Sequence, residues 1–150
     1  MIFGGYLLKQ TFELAFSCVA SFSHTRPAFV SLDPSTFQNP VPVGSVLYLT
    51  ATIAYTDEAP ATKNGKPVTR VQVRVESKVR SVEHGETKPT GQFNYTFLVE
   101  RKIHVMPRTY SEFMIWVDAR RRAQQVDVLA STEASNLMSL HEEMKSSVIE

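Results

Sequence analysis

Between Tyr6 and Pro27 the chain carries neither glycine nor proline, and apolar residues fall on nearly every side of the helix this predicts. Only Lys9, Gln10 and Glu13 interrupt that cover in its middle. A helix apolar almost all round must be wrapped by other elements rather than laid on a surface. It opens on Gly4-Gly5, whose missing side chains leave backbone N–H groups approachable. A helix start holds unsatisfied donors and partial positive charge, which suits a carbonyl or phosphate oxygen. The helix should fade near residues 21–23, because Pro27 forces Arg26 into extended backbone.

The wrapping has to come from strands, and four runs supply them. Residues 28–32 read as a short strand that Asp33-Pro34-Ser35 breaks, and a proline there implies an edge or a bulge. Asn39-Pro40-Val41-Pro42-Val43-Gly44 is a rigid turn. Over residues 45–56, Leu47, Leu49, Ala51, Ile53 and Tyr55 alternate with Val46, Tyr48, Thr50, Thr52 and Ala54, the pattern of a half-buried strand. A polar loop follows over 57–67, turning at Asn64-Gly65. Residues 68–80 set Val71, Val73, Val75 and Val79 on one face against Arg70, Gln72, Arg74, Glu76, Lys78 and Arg80 on the other. After a loop over 81–89, residues 91–100 place Phe93, Tyr95, Phe97 and Val99 on one face. Short loops between the three long strands predict an antiparallel meander.

The remainder is helical. Thr109-Tyr110-Ser111-Glu112 fits a capping box. The helix it starts is expected to end at Arg120-Arg121-Arg122, where positive charge suits the dipole. A weaker amphipathic segment over 131–145 carries Leu137, Leu140 and Met144 at helical spacing. The 150 residues suffice for one domain with a real core, and 43% hydrophobic with 21% charged content is ordinary for a globular chain. A net charge of +1 argues against a dedicated nucleic-acid binder. The single Cys18 excludes an internal disulfide and a cysteine metal cluster. No apolar run approaches a membrane span. The N-terminus lacks the basic start of a signal peptide, and its apolar run is broken, so secretion is not expected.

This order of elements resembles the hotdog fold of acyl-CoA thioesterases: a glycine pair opening a buried helix, then Phe37-Gln38-Asn39-Pro40-Val41-Pro42-Val43-Gly44, then a meander. More closely, Ile2-Phe3-Gly4-Gly5-Tyr6-Leu7, Arg26-Pro27, Asp33, Phe37, Pro40-Val41-Pro42-Val43-Gly44 and Met106-Pro107-Arg108-Thr109-Tyr110 resemble the second hotdog domain of the large two-domain acyl-CoA thioesterases, often mitochondrial in eukaryotes. The resemblance covers residues 2–120, and it rests on shared order and spacing rather than on one motif. It implies an α+β hotdog domain over residues 1–123, an antiparallel sheet wrapped around a long central helix, followed by a helical tail over 124–150. The fold's first strand would precede Met1, so a longer two-domain parent is implied. The implied activity is hydrolysis of acyl-CoA to fatty acid and CoA, with no metal or prosthetic group and with CoA as part of the substrate. The implied partner is a second hotdog domain or a second copy, and the implied location is mitochondrial, with cytoplasmic as the alternative.

Thioester hydrolysis passes through a tetrahedral oxyanion, so backbone donors at Gly5 and Gly4 are the expected electrostatic contribution. A carboxylate or amide must hold the attacking water. Hotdog relatives often carry an acid where this chain has Phe12, and an Asn or Asp upstream of the glycine pair, ahead of Met1 here. That leaves Glu13 and Asp33 as the carboxylates to consider. Glu13 also reads simply as the partner of Lys9 one turn back, and Asp33 as a turn acceptor ahead of Pro34. By the same resemblance Phe37 lines the substrate, and Lys78, Arg80, Arg101, Lys102 and Arg108 are phosphate-binding candidates. The bland reading of those cations is a solvated rim. His84 and His104 have no partner at metal spacing, and Cys18 reads as a small core residue. Two other functions fit the fold: a non-catalytic domain that binds acyl-CoA or supports an active partner, and a dehydratase. The dehydratase would want a histidine at the helix, and His24 lies beyond its far end.

Overall fold

The computed structural model describes residues 1–62 and 64–147, with side chains up to residue 142. In chain order the elements are α1 (Gly4–Ser23), β1 (Ala28–Leu32), β2 (Val46–Ala59), β3 (Val68–Arg80), β4 (Thr87–Val99) and α2 (Tyr110–Ser147). All strands join one antiparallel sheet in the order β1-β4-β3-β2. The meander β2-β3-β4 is as expected, and β1 adds beyond β4, so β1 and β2 are the edges. Pro34 falls just past an edge strand, where its missing N–H costs no ladder bond.

Helix α1 lies across one sheet face. Its Ala15 and Val19 pack with Val71, Val73, Val75, Phe93, Tyr95, Phe97 and Val99, every one of them buried. Phe12 fills the gap between helix and edge, with its ring 5.3 Å from Phe29 and 5.9 Å from both Tyr95 and Phe97. Emptying one phenyl ring from such a core costs about 3–5 kcal/mol. The wrap is narrower than the apolar sequence implies. Only the i, i+4 stripe Leu7, Thr11, Ala15, Val19 and Ser23 is buried, while Lys9, Glu13, Ser17 and Ser21 are exposed. The helix stops at His24 in the left-handed region (φ 53°), its N–H bonded to the Ala20 carbonyl at 2.9 Å.

Three expected boundaries are corrected. Strand β2 runs to Ala59, so Asp57 and Glu58 belong to the sheet; Asp57 pairs with Arg70 directly across it. A bulge between Ile53 and Tyr55 also flips the alternation. Tyr55 stands opposite Gln72 on the outer face, and Thr56 opposite Val71 on the inner one. Strand β4 starts at Thr87 rather than 91: Pro89 stands opposite Lys78 although it has no N–H to give the ladder, and a bulge beside it leaves Thr90 as the extra residue. Most different is α2, a continuous helix of 38 residues that does not end at Arg120-Arg121-Arg122. Neither Gly nor Pro occurs along it to stop it. Arg121 and Arg122 both pair with Asp118 one turn back, and Arg120 lies 5.4 Å over the Trp116 ring.

The capping box is present: Glu112 N–H donates to Thr109 Oγ1 (3.2 Å), and Thr109 N–H to Glu112 Oε2 (3.3 Å). By internal contacts the chain divides into two compact units, Met1–Pro107 and Arg108–Glu150. The Met144 side chain lies outside the described residues.

Candidate active site

The first turn of α1 is built to leave donors open. Its N-cap is Phe3, which has no side-chain acceptor to offer, and the Tyr6 N–H is taken by the Phe3 carbonyl at 3.0 Å. The N–H groups of Gly4 and Gly5, with that of Phe3 itself, are thus left without a backbone partner at this terminus among the described residues. The terminus is pinned from both sides. Ile2 N–H donates to the Val41 carbonyl (2.8 Å), and Leu7 packs with Val41 and Val79. A methyl group added at Gly4 would stand 3.2 Å from the Phe37 ring, so the helix start rests directly on that aromatic.

Asp33 and Phe37 arrive on one strap that runs from the end of β1 along β4. Asp33 N–H donates to the Asn94 carbonyl (3.0 Å), Gln38 N–H to Thr90 (2.9 Å) and Asn39 Nδ2 to Pro89 (2.6 Å). Phe37 forms an isolated bridge with Gly91 and sits edge-on to Phe93 at 5.8 Å. The strap therefore joins Gly4 and Phe37 in contact and sets Asp33 four residues upstream. Beside this end of the sheet an open cavity of about 690 Å³ is lined by Pro40, Pro42, Val43, Val79, His84 and Lys88, among others.

Glu13 is placed elsewhere. It lies on the exposed face of α1, its side chain 57% accessible, 3.9 Å from Lys9. The suggested cations do not converge either. Lys78 and Arg80 are exposed at the Val79 end of β3, the end that carries the glycine pair. Arg101 and Lys102 follow β4 at the other end, roughly 40 Å away along a strand of this length. There Arg101 Nη1 donates to the Ser23 carbonyl (3.0 Å), capping the C-terminus of α1. Lys102 pairs with Glu58 at 3.0 Å; this bond, with the lysine's charge, holds the Glu58 carboxyl below its usual range. Arg108 lies in the second unit, where its backbone N–H donates to Glu112 (2.8 Å).

A polar contact inside the core, between Thr11 and Tyr95, is not one that the sequence pattern marks. Thr11 Oγ1 donates to the Leu7 carbonyl (2.9 Å) and lies 2.7 Å from the Tyr95 hydroxyl, which is also 3.2 Å from the Leu8 carbonyl. Burial pushes the Tyr95 phenol up, partly offset by the Thr11 bond, so it stays a neutral donor. A threonine on the buried stripe facing a lone tyrosine among phenylalanines was the available signal. Burial likewise pushes the Cys18 thiol up, which lowers its thiolate fraction. Among the described residues no group of three His, Cys, Asp or Glu side chains could hold a metal ion, and no helix is long and apolar enough to cross a membrane.

A helix laid across an antiparallel sheet, opened by a glycine pair against a strap from the first strand, defines a hotdog-fold protein. An apo-hexameric acyl-CoA thioesterase superposes with a TM-score of 0.72 at 20% identity, over 86% of this chain and 81% of that one. An acyl-CoA hydrolase from Staphylococcus aureus, solved with butyryl-CoA and CoA, gives 0.73 at 18% identity, over 93% and 83%. In sequence, the mitochondrial acyl-coenzyme A thioesterase 9 of Mus musculus is 36% identical over 121 residues, 80% of this chain. The Homo sapiens enzyme of that name is also 36% identical, and the chloroplastic acyl-coenzyme A thioesterase 2 of Humulus lupulus is 31% identical over 137 residues. The chain is homologous to the mitochondrial acyl-CoA thioesterases 9 and 10. It spans about a quarter of the mouse and human proteins' length. No protein-family model matches it.

Proposed function

We propose that this chain contributes a hotdog domain to the hydrolysis of acyl-CoA thioesters, releasing a fatty acid and CoA. The observation that carries the reading is the uncapped glycine terminus of α1, seated on Phe37 beside the strap that bears Asp33. The homology to acyl-CoA thioesterases supports the substrate class. The thioester carbonyl oxygen sits at the Gly4 and Gly5 N–H groups. Asp33 takes a proton from water, the resulting hydroxide oxygen bonds to the carbonyl carbon, and the oxyanion is stabilised at the helix start. The C–S bond then breaks, and the leaving CoA thiolate receives the proton held by Asp33. On this reading backbone donors and one carboxylate do the chemistry, and CoA enters only as substrate. Lys78 and Arg80, at the glycine end of the sheet, are the cations we assign to its phosphates. Arg101 and Lys102 already serve Ser23 and Glu58. Glu13, on the open face of α1, can reach a site only on a second chain. A mitochondrial location follows the names of the mammalian relatives.

The test is CoA release from a series of acyl-CoA esters, with Asp33→Asn and Gly5→Pro compared against Gly5→Ala. Proline is tolerated in a first helical turn but has no N–H. Loss of one oxyanion donor costs roughly 10²–10³ in kcat, so Gly5→Pro should fall by that factor while Gly5→Ala stays within a few fold. Turnover that survives Asp33→Asn but is lost in Glu13→Gln would move the carboxylate to the helix. Tight acyl-CoA binding without turnover in the unmodified chain would replace hydrolysis by the acyl-binding role.

A further inference from the structure

We infer that Gly91, acting through Phe37, is a positioning residue for the Gly4 and Gly5 donors; the inference rests on the hydrolytic reading of that helix start. Gly91 is remote in sequence from the glycine pair, and it sits where β4 departs from regular pairing. Ser77 pairs with Gly91 but Lys78 pairs with Pro89, so Thr90 is the extra residue of a bulge. The bulge gives Thr90 two tasks. Its hydroxyl meets the Ser77 hydroxyl at 2.5 Å in the interior, and its carbonyl accepts the Gln38 N–H at 2.9 Å. Next to it, the missing side chain of Gly91 lets the strap cross. A Cβ there would stand 3.3 Å from two atoms of the Phe93 ring and 3.4 Å from the Thr36 carbonyl oxygen.

A single Cβ asks the Phe93 ring to give by a few tenths of an ångström and already touches the Thr36 oxygen, so any larger side chain has no room left. Phe93 is fully buried, and the Thr36 oxygen is backbone of the strap itself. A side chain larger than a methyl group at 91 thus pushes the strap away from β4 just where Phe37 bridges it. Phe37 is the floor beneath Gly4, at a spacing tighter than ordinary contact for any added carbon. Displacing it removes one of the supports of the α1 start, beside the Ile2–Val41 hydrogen bond and the packing of Leu7. The rest of α1 is held independently by Ala15 and Val19 in the main core. The effect is therefore confined to the terminus, which separates positioning from general stability.

The experiment compares the chain with Gly91→Ala, Gly91→Val and Phe37→Ala, and with Phe37→Leu as the conservative variant. Two readouts are used: kcat and KM for acyl-CoA hydrolysis, and the ¹⁵N–¹H resonances of Gly4 and Gly5 against those of Ala15 and Val19. A misplacement of about 1 Å costs roughly 10²-fold in rate. Gly91→Val should therefore lose kcat on that order with KM within a few fold, and both Gly91→Val and Phe37→Ala should shift or broaden the two glycine amides and leave Ala15 and Val19 in place. Gly91→Ala and Phe37→Leu should fall between. Unmoved Gly4 and Gly5 amides in Gly91→Val would overturn the inference, as would a loss spread equally over Ala15 and Val19. If the unmodified chain hydrolyses nothing while the glycine amides still respond, the positioning stands and the hydrolytic reading falls.

Discussion

Tyr95 is the polar exception in a core otherwise made of valine and phenylalanine, and its hydroxyl is fully engaged between Thr11 and the Leu8 carbonyl. A neutral buried hydrogen bond contributes about 1 kcal/mol net, and deleting one partner leaves the other to find a substitute. Thr11 keeps its bond to the Leu7 carbonyl when the tyrosine oxygen is removed. Tyr95→Phe should therefore lower unfolding free energy by about 1 kcal/mol in urea, with an unchanged m-value. A loss of several kcal/mol would mean that the phenol organises more than these bonds. The contrast with Glu13 is instructive: an exposed i, i+4 pair is worth about 0.3–0.5 kcal/mol, so Glu13→Ala should barely move the same curve.

At the scale of elements, the segment after β4 is tied back to the sheet by the Lys102–Glu58 pair. The lysine's hydrogen bond and charge hold the Glu58 carboxyl below its usual range. Its pKa is thus lower folded than unfolded. The pair's contribution to stability is complete above the unfolded value, about 4.3, and is lost as pH falls through the lower folded one. In an NMR titration the Glu58 carboxyl should titrate below that value in the wild type, and return towards it in Lys102→Ala. A midpoint indifferent to Lys102 would remove the ion pair from the account.

Helix α2 shows where sequence reading stops. The strands were legible because Val71, Val73 and Val75 or Phe93, Tyr95 and Phe97 alternate without interruption. Bulges at residues 53–55 and at Thr90 carry no such signature, so Tyr55 was put on the wrong face and β4 began too late. A dipole argument favours ending α2 at three arginines, yet Asp118 holds Arg121 and Arg122 in mid-helix and Arg120 lies over Trp116. In the candidate site, Gly4, Asp33 and Phe37 were visible as spacing. That Phe37 supports Gly4, and that Arg101 caps α1, depends on contacts between residues 33 and 78 positions apart. A proline at Ala130 tests the continuous helix. It should cost about 3 kcal/mol of helix stability and visible ellipticity at 222 nm. Two shorter helices parting near that point would lose almost nothing.

For the whole molecule, the open edges of the sheet matter most. Strand β1 pairs only with β4, and its Phe29 and Val30 are each about half exposed. Val30 is the bulged residue between two paired neighbours, so its side chain is not fixed by the ladder. An apolar edge with free N–H and C=O groups is a template for another strand. The exposed side of α1, with Glu13, likewise lies outside the wrap that one chain provides. The expected consequence is self-association along β1, completing both the sheet and the cover of the helix. Sedimentation over a concentration series should show reversible association that Val30→Lys weakens by about tenfold or more, a change of about 1.4 kcal/mol. Acyl-CoA turnover should follow the associated fraction rather than total protein if Glu13 of one copy serves the site of the other. A chain that sediments as a monomer at every concentration while hydrolysing at full rate would show that one copy is a complete site, and would confine Glu13 to its bond with Lys9.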